Sequence, residues 1–297
     1  MDPKKVVAAA YKAHVLVPAF NVPYLTMIQP IADAVEELGI YGMMGVALPD
    51  VTRFYAKSFG TVAEMFYALK KRSRLSLHLD HTPVIDENGK RVEWRKIIEE
   101  ALDAKYQSVM VDGSRLGLDE NIAVAREVGE MCHPHGVPVE AELGAVLGHE
   151  AGPLPPYEEL FRSGRGFTRP DEAERFVKES KVDWLSVAVG NIHGAIQGAA
   201  KDKAKAQARL NIEHLSKLAA VTKIPLVLHG GSGVTPEHLR AAAMHGITKL
   251  NVGTEIRQAY EKALPSIPKA QEAVRESIRR LVREQYLIEG SAGKLAI

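Results

Sequence analysis

The stretch Leu75-Ser76-Leu77-His78-Leu79-Asp80-His81 is a short apolar run that finishes on an acid and two histidines. Seven other short runs along the chain share this design. LVPAF (16–20) leads into Asn21, and MMGVAL (43–48) runs out at Asp50. SVMVD (108–112) ends on Asp112, and VPVEAE (137–142) carries Glu140 and Glu142. WLSVAVGNIH (184–193) ends on His193, PLVLH (225–229) on His229, and ITKLNV (247–252) near Asn251. Runs this short and this rich in Val, Leu and Ile read as fully buried parallel strands. Amphipathic segments separate most of them, among them 26–39, 62–73, 119–136, 170–180, 210–222 and 235–246. Pro170 before Asp171 and Glu172, and Thr235-Pro236-Glu237, read as helix starts, while Gly136 and Gly246 read as helix stops. Strand and helix repeated eight times predict an α/β chain folded as a (β/α)8 TIM barrel. A doubly wound sheet is disfavoured because the first run leads into NVPYLT (21–26), which has no glycine.

A barrel of this kind brings every strand end to one face, so His81, His193, His229 and several carboxylates are expected to share a pocket. Three neutral imidazoles with one open position make a catalytic zinc arrangement. The bland alternative for each histidine is a hydrogen-bonded buried group. Asp112 and Glu142, at neighbouring strand ends, are metal ligands, partners of an imidazole, pocket acids or a buried ion pair. Gly230-Gly231-Ser232-Gly233 and Gly253-Thr254 follow the last two strands, where barrels commonly cradle phosphate with backbone N–H groups. Two tight turns would read the same way.

The 297 residues, 46% hydrophobic and 25% charged, suit one barrel domain over 1–297 with a helical tail over 266–297. The tail is expected to pack on the barrel bottom or to meet another subunit. Residues 151–168, rich in Pro and Gly, read as a mobile loop at the pocket. The net charge of +1 excludes a strong general attraction for nucleic acid or anionic membrane. A single cysteine, Cys132, excludes a disulfide within the chain. The N-terminal stretch MDPKKVVAAAYKAH lacks an apolar signal core and no run is long enough to span a bilayer, so the expected location is the cytoplasm. Cys132, His133 and His135 are read as a capped helix end with solvated histidines, not a metal cluster, and Lys201, Lys203 and Lys205 as a solvated helix start.

The stretches VPAFNV, LHLDH, SVMVDGS, VPVEAELG, GNIHG, LVLHGGSGV, KLNVGTE and GSAGK, in this order, resemble the class II ketose-bisphosphate aldolases, such as fructose- and tagatose-bisphosphate aldolases. The resemblance spans residues 17 to about 294. It implies a lyase of carbohydrate metabolism such as glycolysis, yielding dihydroxyacetone phosphate and an aldehyde, a homodimer or homotetramer whose only implied partner is a small sugar phosphate. It implies Zn2+ on His81, His193 and His229, with Glu142 as an alternative ligand. Asp80 would handle the C4 hydroxyl proton, Glu150 the C3 proton, and Asn251 the enediolate. Gly194, Gly230, Ser232, Gly253 and Thr254 would hold the phosphate, with Gly231 and Asn21 beside them and a monovalent cation (Na+ or K+) assisting. Three positions depart from the family pattern: Ala47 replaces a serine, Gln197 a lysine, and Ala151 the acid after Glu150. Alternatives are an aldolase for a ketose phosphate without the distal phosphate, a metal-dependent barrel hydrolase, and a barrel kept for binding alone. No lysine ends a strand run except Lys249, inside ITKLNV, so a Schiff-base mechanism is disfavoured.

Overall fold

The computed structural model describes residues 1–146, 156–191, 208–231, 233–295 and 297. Its centre is a closed barrel in which each strand pairs in parallel with the next and the last returns to the first. The strands are β1 (Val17–Asn21), β2 (Gly42–Ala47), β3 (Leu75–Pro83), β4 (Ser108–Asp112), β5 (Val139–Leu143), β6 (Trp184–Val187), β7 (Leu226–Leu228) and β8 (Ile247–Val252). Each coincides with one of the eight apolar runs, so the barrel expected from the sequence is the fold observed.

The helices, in chain order, are α1 (Pro3–Ala13), α2 (Ile28–Glu37), α3 (Leu48–Thr52), α4 (Phe59–Tyr67), α5 (Trp94–Asp103), α6 (Leu118–Cys132), α7 (Tyr157–Ser163), α8 (Pro170–Ser180), α9 (Ile212–Thr222), α10 (Pro236–Met244), α11 (Thr254–Lys262) and α12 (Ile267–Arg280). Local chemistry sets several ends. Thr235 caps α10 by accepting from the His238 backbone N–H, with Pro236 in the first turn. Asn211 does the same for α9 through His214. Gly136 closes the 3-10 turn His133–His135 that follows α6, at φ +70°, where a side chain would be strained.

Most of the core lies between the barrel and the helices around it, including Phe20, Ile31, Phe66, Ile98, Phe176 and Leu239. Burying each such side chain fully is worth about 1.5–3 kcal/mol. A second cluster closes one end of the barrel: Val6, Val7 and Ala10 of α1 meet Val17, Ala19, Met43, Trp184, Val227 and Leu295. The N-terminal helix therefore plugs the barrel, the position expected for the C-terminal tail. Asp2 fixes its start by accepting from the backbone N–H groups of Lys4 and Lys5.

Of the tail's described residues, only Leu295 near its end reaches that cluster, while the tail helix lies against the outer helices. The buried stripe of α12 is Ala270, Val274, Ser277 and Ile278, continued by Leu281 and Val282 in a π-helical turn over 281–286. Arg275 pairs with Asp33 at 2.5 Å and Arg279 with Glu37 at 2.6 Å, which ties α12 to α2. Ala273, expected in the apolar stripe, is only half-buried.

One further expectation changes. The run MMGVAL stops as a strand at Ala47, and Asp50 sits inside α3, accepting from the Ala47 backbone N–H at 2.9 Å. The Pro- and Gly-rich connection contains α7, whose Glu158 and Glu159 favour its N-terminal end. No described helix is long and apolar enough to cross a membrane.

Candidate active site

One irregularity in β3 builds the site. Leu79 pairs with Val109 of β4, but the next matched pair is Thr82 with Val111, so β3 advances three residues for two. This bulge interrupts the alternation of side chains, and His81 takes a positive φ of 32°. Both Asp80 and His81 consequently line the same pocket, a cavity of about 180 Å³ at the strand ends.

His229, just after β7, meets His81 there: its Nδ1 lies 2.7 Å from His81 Nε2, with the rings edge-on. Behind it, His229 Nε2 lies 2.8 Å from Glu140 Oε1 on β5. A carboxylate only accepts, so Glu140 takes the Nε2–H and leaves the Nδ1 lone pair turned to the pocket. On the other side, His81 Nδ1 is 3.8 Å from Asp112 Oδ2. Asp112 is itself fixed by the Ser114 hydroxyl and backbone N–H. Glu142, fully buried on β5, has Ser186 Oγ at 3.4 Å.

Asp80 is clamped from two strands. Asn21 Nδ2 donates to its Oδ2 at 2.8 Å, and Asn251 Nδ2 donates to its Oδ1 at 2.8 Å. In register, Asn251 lies beside Ala19, Asn21 beside Gly45 and Asp80 beside Ala47, so the three side chains step by two residues from strand to strand and meet across that stagger. Gly230, Gly253 and Thr254 line the cavity with them. Gly231 is packed so closely that a Cβ would come within 2.1 Å of Leu250 Cδ1.

The charges are far from their solution behaviour. Burial alone would raise the Asp80 carboxyl, but His81, Lys249 and His229 outweigh it and hold it far below the usual carboxylate range. Burial would lower His81, yet Asp80, Asp112 and Glu142 push it up to about 10. Burial, reinforced by His81, lowers His229 and keeps it neutral. Burial and the neighbouring Asp112 raise Glu142 well above its usual value.

Two groups of donor atoms lie close enough to share an ion, Asp80 with His81 and His229, and His81 with Asp112 and Glu142; within each, the atoms are within 4.8 Å of one another. Imidazole nitrogens with carboxylate oxygens are the donor types that borderline divalent ions take.

Across residues 1–294 the chain matches the family described as fructose-bisphosphate aldolase class-II. The chain belongs to that family. It is 33% identical to the 6-phospho-5-dehydro-2-deoxy-D-gluconate aldolase of Bacillus velezensis, over 98% of this chain and 96% of that one. It is 31% identical to the fructose-bisphosphate aldolase of Geobacillus stearothermophilus, over 99% and 98%. Among solved structures it resembles the YdjI aldolase from Escherichia coli K12, with a TM-score of 0.76 and 28% identity over 99% of this chain and 98% of that one.

The protein is thus an aldolase, a lyase of carbohydrate metabolism, and class II aldolases are typically metal-dependent. Of the residues expected at the site, Asn21, Asp80, His81, Asp112, His229, Gly230, Asn251, Gly253 and Thr254 line one cavity, with Glu142 against it. Glu150, His193, Gly194 and Ser232, together with Gln197, Ala151, Lys201, Lys203 and Lys205, lie outside the described residues. His133 belongs elsewhere, 2.9 Å from Asp183, beside the buried Cys132.

Four groups that the sequence brings to strand runs without a role in the site take one here. Glu140 supports His229, and Lys249 pairs with Glu140 at 2.9 Å. His78 Nδ1 lies 2.9 Å from Ser108 Oγ, and burial pushes this imidazole down to about 3, which keeps it neutral. Asp50 lines the cavity, and burial pushes its carboxyl up to about 7. The period-two spacing of Glu140 with Glu142, and of Lys249 with Asn251, was the available signal, because such residues share one strand face.

Proposed function

We propose that this aldolase uses zinc to cleave a ketose phosphate reversibly into dihydroxyacetone phosphate and an aldehyde. The observation that carries this reading is the meeting of His81 and His229 at 2.7 Å beside an Asp80 carboxylate clamped by Asn21 and Asn251. In this reading His81, His229 and His193 hold the ion, and Glu142 and Asp112 are alternative ligands. The fit rests on the His229 tautomer, since Glu140 leaves the Nδ1 lone pair toward the pocket. Bound there, Zn2+ supplies Lewis-acid stabilisation for the negative charge that develops when the ketose bond opens.

The chain's own side chains do the rest. Asp80, kept ionised and oriented by two amides, accepts the C4 hydroxyl proton as the C3–C4 bond breaks, and returns it in the synthetic direction. Asn251 holds the enediolate with the amide hydrogen that Asp80 does not take. Glu150 removes and returns the C3 proton. Asn21, Gly194, Gly230, Gly231, Ser232, Gly253 and Thr254 surround the donor phosphate, with Na+ or K+ beside it. Well-placed acid–base groups of this kind contribute about 10²–10⁴-fold each.

Asp50, Phe54, Arg115 and Arg257 line the same cavity, and in this reading Asp50 is taken to meet the aldehyde end. Relatives named fructose-bisphosphate aldolase and 6-phospho-5-dehydro-2-deoxy-D-gluconate aldolase support a sugar phosphate as the substrate class, and within it the first reading is a ketose bisphosphate of the fructose or tagatose kind. Ala47 lines the cavity without a hydroxyl, which favours as a second reading a ketose phosphate lacking the distal phosphate. We further infer one barrel domain over the whole chain, a homodimer or homotetramer, and a cytoplasmic location.

The test is aldol cleavage followed by coupled triose-phosphate detection, before and after chelation, over a panel of aldehyde acceptors run in reverse. Activity lost on chelation and restored by Zn2+ supports the proposal. Full activity in the chelated protein removes it.

A further inference from the structure

Lys249 is a lysine with no exposed side-chain surface, placed on β8 inside the barrel. A buried ammonium needs partners, and it has two. Its Nζ lies 2.9 Å from Glu140 Oε2 and donates to Asn251 Oδ1 at 2.6 Å. Lys249 and Asn251 are two residues apart on one strand and therefore share a face. Glu140 reaches the same point from β5, across the barrel interior.

Each partner passes the constraint on. The amide of Asn251 can be turned either way within its cavity. A cation can sit only beside its oxygen, so Lys249 fixes Oδ1 inward and Nδ2 toward Asp80, which it meets at 2.8 Å. With the amide reversed, an oxygen would face the Asp80 carboxylate and the clamp would become a repulsion. Glu140, with one oxygen held at Lys249, presents the other to His229 Nε2 at 2.8 Å. One ammonium thereby sets the orientation of two groups, the amide that meets Asp80 and the carboxylate that meets His229. Its burial and its ion pair also remove it as a Schiff-base nucleophile.

We propose that Lys249 is a positioning residue that fixes the Asn251 amide against Asp80 and the Glu140 carboxylate against His229. The consequence for turnover rests on the function proposed above; the orientation of Asn251 does not.

The test uses Lys249→Met, which keeps length and loses the donors, and Lys249→Met with Glu140→Gln, which leaves no unpaired buried charge if the single variant fails to fold. The first readout is the side-chain amide 1H–15N signal of Asn251 in metal-free protein, assigned by its loss in Asn251→Ala. Glu140→Gln alone should leave this signal in place, since Glu140 does not touch Asn251. Both Lys249 variants should move it. The second readout is kinetic: kcat should fall about 10- to 100-fold while KM stays within about twofold, as for a group that orients others. The third is zinc affinity by chelator competition, expected to weaken about 10- to 100-fold. A folded double variant with an unmoved Asn251 signal, and with wild-type kcat, would overturn the proposal. A moved signal in a protein whose wild type cleaves no ketose phosphate would sustain the Lys249 assignment and refute the proposed function.

Discussion

Asp50 offers a quantitative test of how the pocket is charged. It is 6% exposed, lies in α3 at the pocket wall, and burial is the main reason its carboxyl is pushed up to about 7. Above about pH 4 the unfolded chain has released this proton, while the folded chain retains it until about pH 7. The unfolded state then binds fewer protons, so this group makes stability fall as pH rises through that window. Moving a carboxyl from 3.8 to about 7 corresponds to a full penalty of about 4 kcal/mol above pH 7, and to almost none near pH 4. Asp50→Asn removes the titration and keeps an oxygen for the Ala47 N–H, now 2.9 Å from the carboxylate. The variant should therefore be more stable than wild type, by a margin that grows from pH 4 to pH 7 and then levels off. Denaturant unfolding of both proteins at matched pH values measures the margin directly. A margin that is flat with pH, or that shrinks as pH rises, would refute the burial argument. Because Asp50 lines the cavity, the same substitution should change KM for the aldehyde more than for dihydroxyacetone phosphate.

Other perturbations test other parts. His229→Ala should fold and lose tight zinc binding, and stoichiometric zinc retained in that variant would count against the ligand assignment. Glu150→Ala should keep its zinc but lose exchange of the C3 proton of dihydroxyacetone phosphate; unchanged exchange would point to another base. Gly231→Ala drives a methyl into Leu250, whose Cδ1 would be 2.1 Å away, and should destabilise the chain by about 1–3 kcal/mol, read as a lower Tm. An unaltered Tm would mean that the turn after β7 relaxes freely.

The barrel was legible because a parallel strand covered on both faces must be apolar along its length, and each such run ended where the chemistry begins. What the runs do not encode is how a strand ends. Asp80 and His81 are adjacent and would point to opposite faces of a regular strand, and only the bulge against β4 brings both to the pocket. That bulge depends on pairing with another strand, which no local pattern records. The plug formed by α1 was missed for a related reason. Val6, Val7 and Ala10 are few and modest, and their importance comes from the barrel end they meet. The charged interior was hardest to read: Glu140 and Lys249 lie in separate strands, and either alone resembles a strand-end residue facing water. The sequence suggests a strand end at Asp50 because MMGVAL continues its apolar character into Leu48, although Pro49 stands in the first turn of a helix.

The central claim is that imidazoles, with His81 and His229 among them, hold a zinc ion in this pocket. X-ray absorption at the zinc edge of the reconstituted enzyme addresses it directly. The account predicts a nitrogen shell at about 2.0–2.1 Å with the outer scattering of imidazole rings, diminished in His229→Ala. An oxygen-only shell without imidazole scattering, the same in wild type and variant, would contradict it.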